Sequence, residues 1–391
     1  MLTVAVLAAV ISLFITPPSL SLLKEIDWHT LGTLFMMLIV LEGFKQENIF
    51  EPVIKFSRNF KSMFFLSLFL IFGVFFSSMF VTNDVSLIIF VPLTILLFRK
   101  GNKERYILPV ISMENIAAIR GSLLMPFGSP QNLFLFGQSE TSVWNFMLHM
   151  SPLCISSAIL LIIFAAVLYR KNIKEEYKTE INAAILENTS AALSSGSNAS
   201  VEDSGSKKTS AKQKMIRKIA YLSLFAMIVL TIVTRTKLWP AAVITVIIVT
   251  AIVNIKLFTQ VDYVLIFTFL CFFVFSSSIT ANPGISNVLQ KAVAGREYWW
   301  AIGLSQIISN VPASIVLYPF TDNFAGLIYG ADTAGLCSLI GSLASVINYR
   351  IYVREYPKNG FKFIKTFTLI SWAFFAIVVI PGFLLSHWKF F

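Results

Sequence analysis

Apolar segments of about 15 to 30 residues follow one another along most of the chain, and they restrict its fold more than any other feature. A helix needs roughly 20 residues to cross a hydrocarbon core of about 30 Å, so segments of this length are typical of transmembrane helices. Inside lipid, every backbone polar group must be hydrogen bonded within the protein, and a helix achieves this within one segment. With 56% hydrophobic and 13% charged residues, the chain also lacks the polar surface of a water-soluble globule. We therefore predict an all-α polytopic membrane protein.

Lysine and arginine residues are concentrated in four loops between the apolar segments, at residues 45–61, 99–105, 170–218 and 350–365. Short basic loops stay on the cytoplasmic side, so their order along the chain predicts the direction of each crossing. The N-terminus is then cytoplasmic and the C-terminus outside, in the plasma (inner) membrane. The first segment, 2–16, has no basic residue before it and no small-residue cleavage site, which predicts a retained helix. Membrane topology accounts for the net charge of +11, and we expect no nucleic-acid partner.

A motif in the first half of the chain returns in the second half. Residues 81–93 read VTNDVSLIIFVPL, and residues 308–320 read ISNVPASIVLYPF. In the alignment of the two copies, Thr82 matches Ser309 and Asn83 matches Asn310. A buried amide is costly in a membrane, so its return in the same frame favours a functional role over simple packing. The flanking apolar segments leave and return to the same side, so each motif is predicted at the bend of a hairpin, over 62–98 and 300–320.

Two further segments, 107–137 and 330–349, are apolar but interrupted by glycine, proline and polar residues. Such interruptions at membrane depth indicate broken helices, whose freed backbone groups line a binding site. The count of crossings places residues 321–332 in an external loop and totals about nine spans plus two hairpins, arranged as two inverted-topology repeats. The predicted domains are a first membrane repeat at 1–169, a flexible Ser-rich cytoplasmic linker at 170–217, and a second membrane repeat with one extra helix at 218–391.

The hairpin bends and broken helices supply the polar groups of a predicted site. Hydroxyl, amide and freed carbonyl oxygens suit a small hard cation such as sodium, whereas the N-termini of half-helices suit an anion. Three charged residues also stand out, because a charge at mid-bilayer costs about 2.5 to 3.5 kcal/mol: Asp84, Glu114 and Arg120. Arg120 either neutralises an anionic substrate or forms an ion pair with Glu114 or Asp84. For single serines and glycines, close packing of helices is the alternative role.

The paired hairpin motifs, with the broken-helix sequences MPFGSPQN and SLIGSLAS, resemble the ion transporter superfamily. That superfamily includes divalent-anion/sodium symporters, citrate carriers, arsenite permeases and some sodium/proton antiporters. In the symporter branch, the resemblance implies two sodium sites that flank a carboxylate substrate. The residues that match its motifs are Thr82, Asn83, Gly128, Ser129, Pro130, Asn132, Ser309 and Asn310. Asp84 and Val311 replace the threonine of each tip, and the Asn-Asp and Asn-Val-Pro tips are similar to the arsenite permease branch.

We therefore predict an ion-coupled secondary active transporter of a small anion, with a di- or tricarboxylate as the leading substrate class, that works by alternating access. The predicted substrate-binding residues are Thr82, Asn83, Asp84, Arg120, Asn132, Ser309 and Asn310. The predicted ligands of the coupling ion, Na⁺ or H⁺, are Asn83, Gly128, Ser129, Asn310, Gly341 and Ser342. No other cofactor is expected, and a homodimer is left open.

Two other functions compete with carboxylate transport: efflux of arsenite or antimonite, and sodium/proton antiport. An enzyme is the poorer interpretation, because the sequence contains no Ser/His/Asp set, HExxH motif or Gly-rich phosphate loop. The expected partners are therefore a small anionic substrate and the lipid bilayer.

Overall fold

The structure is a computed structural model that describes residues 2–16, 24, 26–49, 56–57, 60, 62–170 and 211–388. Over these residues the chain is helical, which confirms the predicted all-α polytopic fold. The sixteen α-helices of the described ranges are α1 Leu2–Ile15, α2 Trp28–Gln46, α3 Met63–Val81, α4 Asn83–Lys100, α5 Ile107–Gly121, α6 Pro130–Gln138, α7 Val143–Leu168, α8 Ala211–Thr234, α9 Trp239–Asn254, α10 Tyr263–Thr280, α11 Pro283–Val293, α12 Glu297–Ile308, α13 Asn310–Leu317, α14 Phe324–Ala334, α15 Leu343–Glu355 and α16 Gly360–Ser386. Short 3₁₀ turns cover Glu104–Tyr106, Ile255–Thr259, Tyr318–Phe320 and Pro357–Asn359.

The chain folds into two compact units whose bounds differ from those of the predicted repeats. The first unit contains both hairpins, both broken helices and every predicted site residue; it consists of Met1–Trp28, Phe60–Lys178 and Val264–Phe391. The second unit contains α2, α8 and α9; it consists of His29–Asn59 and Thr179–Tyr263. Most of the predicted linker, 170–217, lies outside the described residues, although α8 begins at Ala211, inside the range assigned to the linker.

Several of the described helices are long and apolar enough to cross a membrane by length and composition. They are Met63–Val81, Val143–Leu168, Gln213–Thr234, Trp239–Thr259, Tyr263–Thr280 and Pro357–Ser386. The remaining predicted spans correspond to α1, α2 and the two broken helices. The two hairpins differ in size: α3 has 19 residues, or about 28 Å, whereas α12 has 12 residues, or about 18 Å. The first arm of the second hairpin is therefore shorter than a hydrocarbon core of about 30 Å.

Each hairpin turns at a single residue with an unusual backbone conformation. Thr82 separates α3 from α4 with φ 70° and ψ 156°, and Ser309 separates α12 from α13 with φ 74° and ψ 159°. The two tips found by sequence alignment therefore adopt the same local geometry, although their arms differ in length.

The two broken helices also share one geometry. The first is interrupted at residues 122–129, between α5 and α6, and the second at residues 335–342, between α14 and α15. In each break, the second half-helix begins after an extended serine, Ser129 or Ser342. A Cβ added at Gly128 would lie 2.4 Å from the carbonyl oxygen of Ser122, and one at Gly341 would lie 2.3 Å from that of Ala334. Only glycine allows the chain to fold back this closely in each break.

The repeats pack both internally and across each other. Within each repeat, the first half of the broken helix packs against the first arm of the hairpin: α5 on α3, and α14 on α12. Between the repeats, the second half of each broken helix packs against the second arm of the other hairpin: α15 on α4, and α6 on α13. The two hairpin tips and the two breaks are thereby placed in one compact unit.

One predicted loop is wrong. The count of crossings predicts an external loop at residues 321–332, but α14 begins at Phe324 and is buried from Ala325 to Ala334. The side chain of Asn323 accepts a hydrogen bond of 2.9 Å from the backbone N–H of Gly326, which caps the helix. The apolar residues that follow then continue the helix to Ala334, so Asp332 lies inside the protein rather than at its surface.

Candidate functional site

The two hairpin tips carry buried asparagines. Asn83 and Asn310 expose 4% and 2% of their surface. At the first tip, the backbone N–H of Asp84 donates to Asn83 Oδ1 at 2.9 Å, and Thr82 and Asp84 are half-buried. At the second tip, the Ser309 hydroxyl donates to Asn310 Oδ1 at 3.4 Å. Each asparagine amide oxygen is thus held by a group of its own tip.

The second tip is joined directly to the second break. The backbone N–H of Asn310 donates to the carbonyl oxygen of Gly341 at 3.2 Å. A hairpin bend and a broken helix of the same repeat therefore meet. Ser342, next to Gly341, is 1% exposed.

Hydrogen bonds between buried polar groups link the two broken helices. Gln131 Nε2 on α6 donates to Asp332 Oδ1 on α14 at 2.9 Å. Asn115 Nδ2 on α5 donates to Ser345 Oγ on α15 at 3.0 Å, and Asn348 Nδ2 donates to the carbonyl oxygen of Ile111 at 2.7 Å. Each repeat thus contributes one wall of a polar interior.

Arg120 lies at the end of α5 and is completely buried. Among the described residues, none of its three guanidinium nitrogens has a hydrogen-bond partner. Asp332 is the acid whose charge acts on it. Because none of these nitrogens has a hydrogen-bond partner, the predicted alternative, a hydrogen-bonded ion pair with Glu114 or Asp84, is not formed among the described residues.

Three polar oxygens of the broken helices are also buried without partners among the described residues. They are Ser129 Oγ, Asn132 Oδ1 and Asp332 Oδ2. Asn132 is held through its other end, since Nδ2 donates to the carbonyl oxygen of Ser122 at 3.4 Å. We call Arg120, Ser129, Asn132 and Asp332 the buried polar set of the broken helices. Its guanidinium suits a carboxylate, and its oxygens suit a small cation or a proton.

The structure places the predicted residues in three local groups. Thr82, Asn83 and Asp84 form the first tip; Ser309, Asn310, Gly341 and Ser342 surround the second; and Gly128, Ser129 and Asn132 line the first break beside Arg120. Sequence reasoning missed Asp332 because the count of crossings put it in a loop. The signal that could have found it is a lone carboxylate in the otherwise apolar stretch FAGLIYGADTAG.

The tip geometry leads to a stability prediction. Thr82 and Ser309 occupy a backbone region that is almost restricted to glycine and costs other residues about 1–3 kcal/mol. Replacing either with glycine relieves that strain, but it raises the entropic cost of folding by about 0.5–1 kcal/mol because glycine is more flexible in the unfolded chain. We expect Thr82→Gly and Ser309→Gly each to raise the Tm of the detergent-solubilised protein by about 1–3 °C.

Ser156→Gly is the matched control for the tip variants. Ser156 lies inside the regular helix α7, is exposed, and donates a hydrogen bond to the Leu153 carbonyl of the preceding turn. There the same substitution should lower the Tm, because glycine destabilises a helix interior by roughly 1 kcal/mol. A drop at both tips equal to that of the control would show that they are not strained.

The comparison with known proteins agrees with this architecture. A family model described as CitMHS, citrate transporter, matches residues 1–341, which include both tips and the first break. The chain belongs to this citrate transporter family. Membership confirms the resemblance to the ion transporter superfamily and identifies the protein as an integral membrane transporter.

Two relatives of this CitMHS member are similar over most of their length. Inner membrane protein YbiR of Escherichia coli (strain K12) is 28% identical over 83% of this chain and 80% of its own. Uncharacterized transporter MJ0456 of Methanocaldococcus jannaschii is 27% identical over 83% of this chain and 81% of its own. A crystal structure of the Alcanivorax borkumensis YdaH transporter, described as having an unusual topology, shares the fold with a TM-score of 0.51. It is 14% identical and covers 94% of this chain and 87% of that one.

Proposed function

We propose that this protein is an ion-coupled secondary active transporter of a small di- or tricarboxylate such as citrate. The observation that supports this most is the buried guanidinium of Arg120, which has no hydrogen-bond partner among the described residues. A buried charge without hydrogen bonds is costly, and a guanidinium binds carboxylates through two parallel hydrogen bonds. A polycarboxylate would satisfy those donors, and the family to which the chain belongs is described as citrate transporters.

In this proposal the substrate lies between the tips and the first break. One carboxylate pairs with Arg120, and the remaining oxygens accept hydrogen bonds from Asn83, Asn310 and Asn132, beside Thr82, Ser309 and Asp84. The coupling ion takes oxygens of Asn83, Gly128 and Ser129 at one site and of Asn310, Gly341 and Ser342 at the other. The hydrogen bond from Asn310 to Gly341 supports the second of these sites.

The inverted repeats suggest how the substrate crosses. Two halves of opposite orientation allow two packings of similar energy, one open to each side, which is alternating access. The shared geometry of the tips and breaks supports this equivalence. The basic loops orient the protein in the plasma (inner) membrane with the N-terminus cytoplasmic and the C-terminus outside.

Uptake into proteoliposomes tests the proposal. We expect purified full-length protein to accumulate labelled citrate, or another member of a panel of succinate, malate and tricarballylate, when a sodium gradient or a pH gradient is imposed. Accumulation should collapse when the driving gradient is dissipated. The same panel includes arsenite. Transport of arsenite, with neither uptake nor binding of any carboxylate, would assign the protein to the arsenite branch instead.

Sodium/proton antiport is the second candidate, and the buried carboxylates of Glu114 and Asp332 favour it. Antiport needs a site that holds either a cation or a proton and no organic anion. Proteoliposomes with an imposed pH gradient and a pH-sensitive dye distinguish the two functions. Dissipation of the gradient on addition of sodium alone would support antiport, and dissipation only in the presence of citrate supports carboxylate transport.

A further inference from the structure

Glu114 is a buried carboxylate that neither the substrate site nor the coupling-ion ligands use. It lies in the middle of α5 and is completely buried. Its Oε1 accepts a hydrogen bond from the hydroxyl of Thr94 on α4. Its Oε2 is buried and has no hydrogen-bond partner among the described residues. Arg120 lies six positions after Glu114, which places the two side chains about 9 Å apart along the axis and on different helix faces.

The elements packed against α5 are α3, which has no titratable side chain, the helices α4, α7, α15 and α16, and the 3₁₀ turn Glu104–Tyr106, whose Glu104, Arg105 and Tyr106 lie eight to ten positions before Glu114. The charged and titratable groups of those four helices are Asp84, Arg99 and Lys100 on α4, His149 and Cys154 on α7, Tyr349, Arg350, Tyr352, Arg354 and Glu355 on α15, and Lys362 and Lys365 on α16. Asp84 is ten residues before Thr94, or about 15 Å along the helix, and Arg99 is five residues after it, or about 7 Å. In the described part of the chain, Thr94 is the one side chain that forms a hydrogen bond with Glu114.

These surroundings favour the neutral acid over the carboxylate anion. An isolated buried carboxylate with one hydrogen-bond donor and no cation is strongly disfavoured, whereas a neutral carboxyl group needs far less compensation. In the conformation seen here, Glu114 is therefore expected to hold a proton. Exposure to water would remove the penalty on the anion and allow the proton to leave.

Glu114 also lies where the moving parts would meet. Thr94 belongs to the second arm of the first hairpin, two residues after Pro92, which interrupts the hydrogen bonds of α4. Asn115, the next residue after Glu114, is bonded to Ser345 of the second broken helix. A displacement of α4 or α15 against α5 would break one of these contacts and let water reach the carboxyl group.

We propose that Glu114 is a proton-binding site that couples proton movement to the conformational cycle, an inference that rests on the proposed transport function. The carboxylate takes a proton from a hydronium ion when the site is open to one side, so one O–H bond forms on Glu114 as one O–H bond of hydronium breaks and water is left. The acid is then enclosed as the helices pack as they do here. When the site opens to the other side, the O–H bond of Glu114 breaks, its proton forms hydronium with a water molecule there, and one proton has crossed in the cycle.

Glu114→Gln tests this directly, because glutamine has the size of the neutral acid but cannot release a proton. In proteoliposomes we expect the variant to lose citrate accumulation driven by a pH gradient, down to the level of simple equilibration, while it retains exchange of external for internal citrate. Glu355→Gln is the matched control, since Glu355 is exposed and paired with Arg99 at 3.1 Å, and it should accumulate citrate normally. Wild-type accumulation by Glu114→Gln, or loss of exchange by a folded variant, overturns the proposal.

Infrared difference spectroscopy separates this proposal from the proposed function. The purified protein without substrate should show the carbonyl stretch of a protonated carboxylic acid at neutral pH, and the band should disappear in Glu114→Gln but persist in Glu355→Gln. An unchanged band in Glu114→Gln overturns the proton site even if citrate is transported. Citrate uptake driven by sodium and insensitive to the pH gradient overturns it as well. The band without any carboxylate transport would contradict the proposed function alone.

Discussion

Gly121→Ala is expected to lower the Tm of the solubilised protein by about 3–4 °C, because α3 and α5 are in contact through their backbones at this point. A Cβ at position 121 would lie 1.9 Å from the carbonyl oxygen of Phe75 and 2.4 Å from Ser78 Oγ. The carbonyl belongs to a helix and cannot rotate away, so α3 and α5 must separate. Overpacking of a core costs about 1–3 kcal/mol, and a clash with rigid backbone belongs at the upper end.

Gly303→Ala is the matched control for this variant. Gly303 also lies in a hairpin arm, α12, but it is exposed and a Cβ there would meet nothing within 4 Å. Alanine should leave the Tm unchanged or raise it slightly, because it favours a helix over glycine by roughly 1 kcal/mol. Thermal unfolding followed by fluorescence-detected size exclusion measures both variants. Equal Tm values for Gly121→Ala and Gly303→Ala would contradict the close contact between α3 and α5.

Arg120→Ala is expected to abolish citrate binding and uptake. Truncating one partner of a buried, hydrogen-bonded charge pair costs about 2–5 kcal/mol, or about 30-fold to 3,000-fold in Kd. Arg120→Lys keeps the charge but loses the planar fork that contacts two carboxylate oxygens, so its Kd should lie between those of the wild type and Arg120→Ala. Isothermal titration of citrate into the purified protein gives the Kd. Arg99→Ala is the control, since Arg99 is exposed at the end of α4 and its ion pair with Glu355 contributes little.

A double variant separates substrate binding from a purely structural role of Arg120. Arg120→Ala leaves Asp332 as an uncompensated buried acid, so the single variant is expected to be less stable as well as inactive. Adding Asp332→Asn removes that charge and should restore the Tm. We expect the double variant to fold normally and still fail to bind citrate. Recovery of citrate binding together with the Tm would show that Arg120 only compensates Asp332.

Local features of the fold could be predicted because each depends on a short stretch of sequence. The recurrence of hydroxyl-Asn pairs indicated two hairpins, and their bends fall at Thr82 and Ser309. Gly128 and Gly341 interrupt apolar runs, and both allow the chain to fold back on a carbonyl group. Apolar segments of bilayer length predicted the helices themselves, since lipid leaves few alternatives for the backbone.

Contacts between distant segments could not be predicted in the same way. Arg120 had two candidate partners within or near its own repeat, but the acid that acts on it is Asp332, from the other repeat. Asp332 itself was assigned to a loop, because charge and hydropathy do not distinguish a polar loop from a buried helix with one acid. The division into compact units differs from the repeats for a related reason: each broken helix packs against the hairpin of the other repeat.

Helix length, glycine positions and a repeated motif are local properties, so the amino-acid sequence was enough to predict an all-α membrane protein with two hairpin tips and two broken helices. The three-dimensional structure was needed to show which of its polar groups face one another. It placed Asp332 beside Arg120 and left Glu114 with Thr94 as its one hydrogen-bonding side chain among the described residues. The physical reason is that the cost of a buried charge depends on partners brought by other helices, and a linear sequence does not specify which helices will meet.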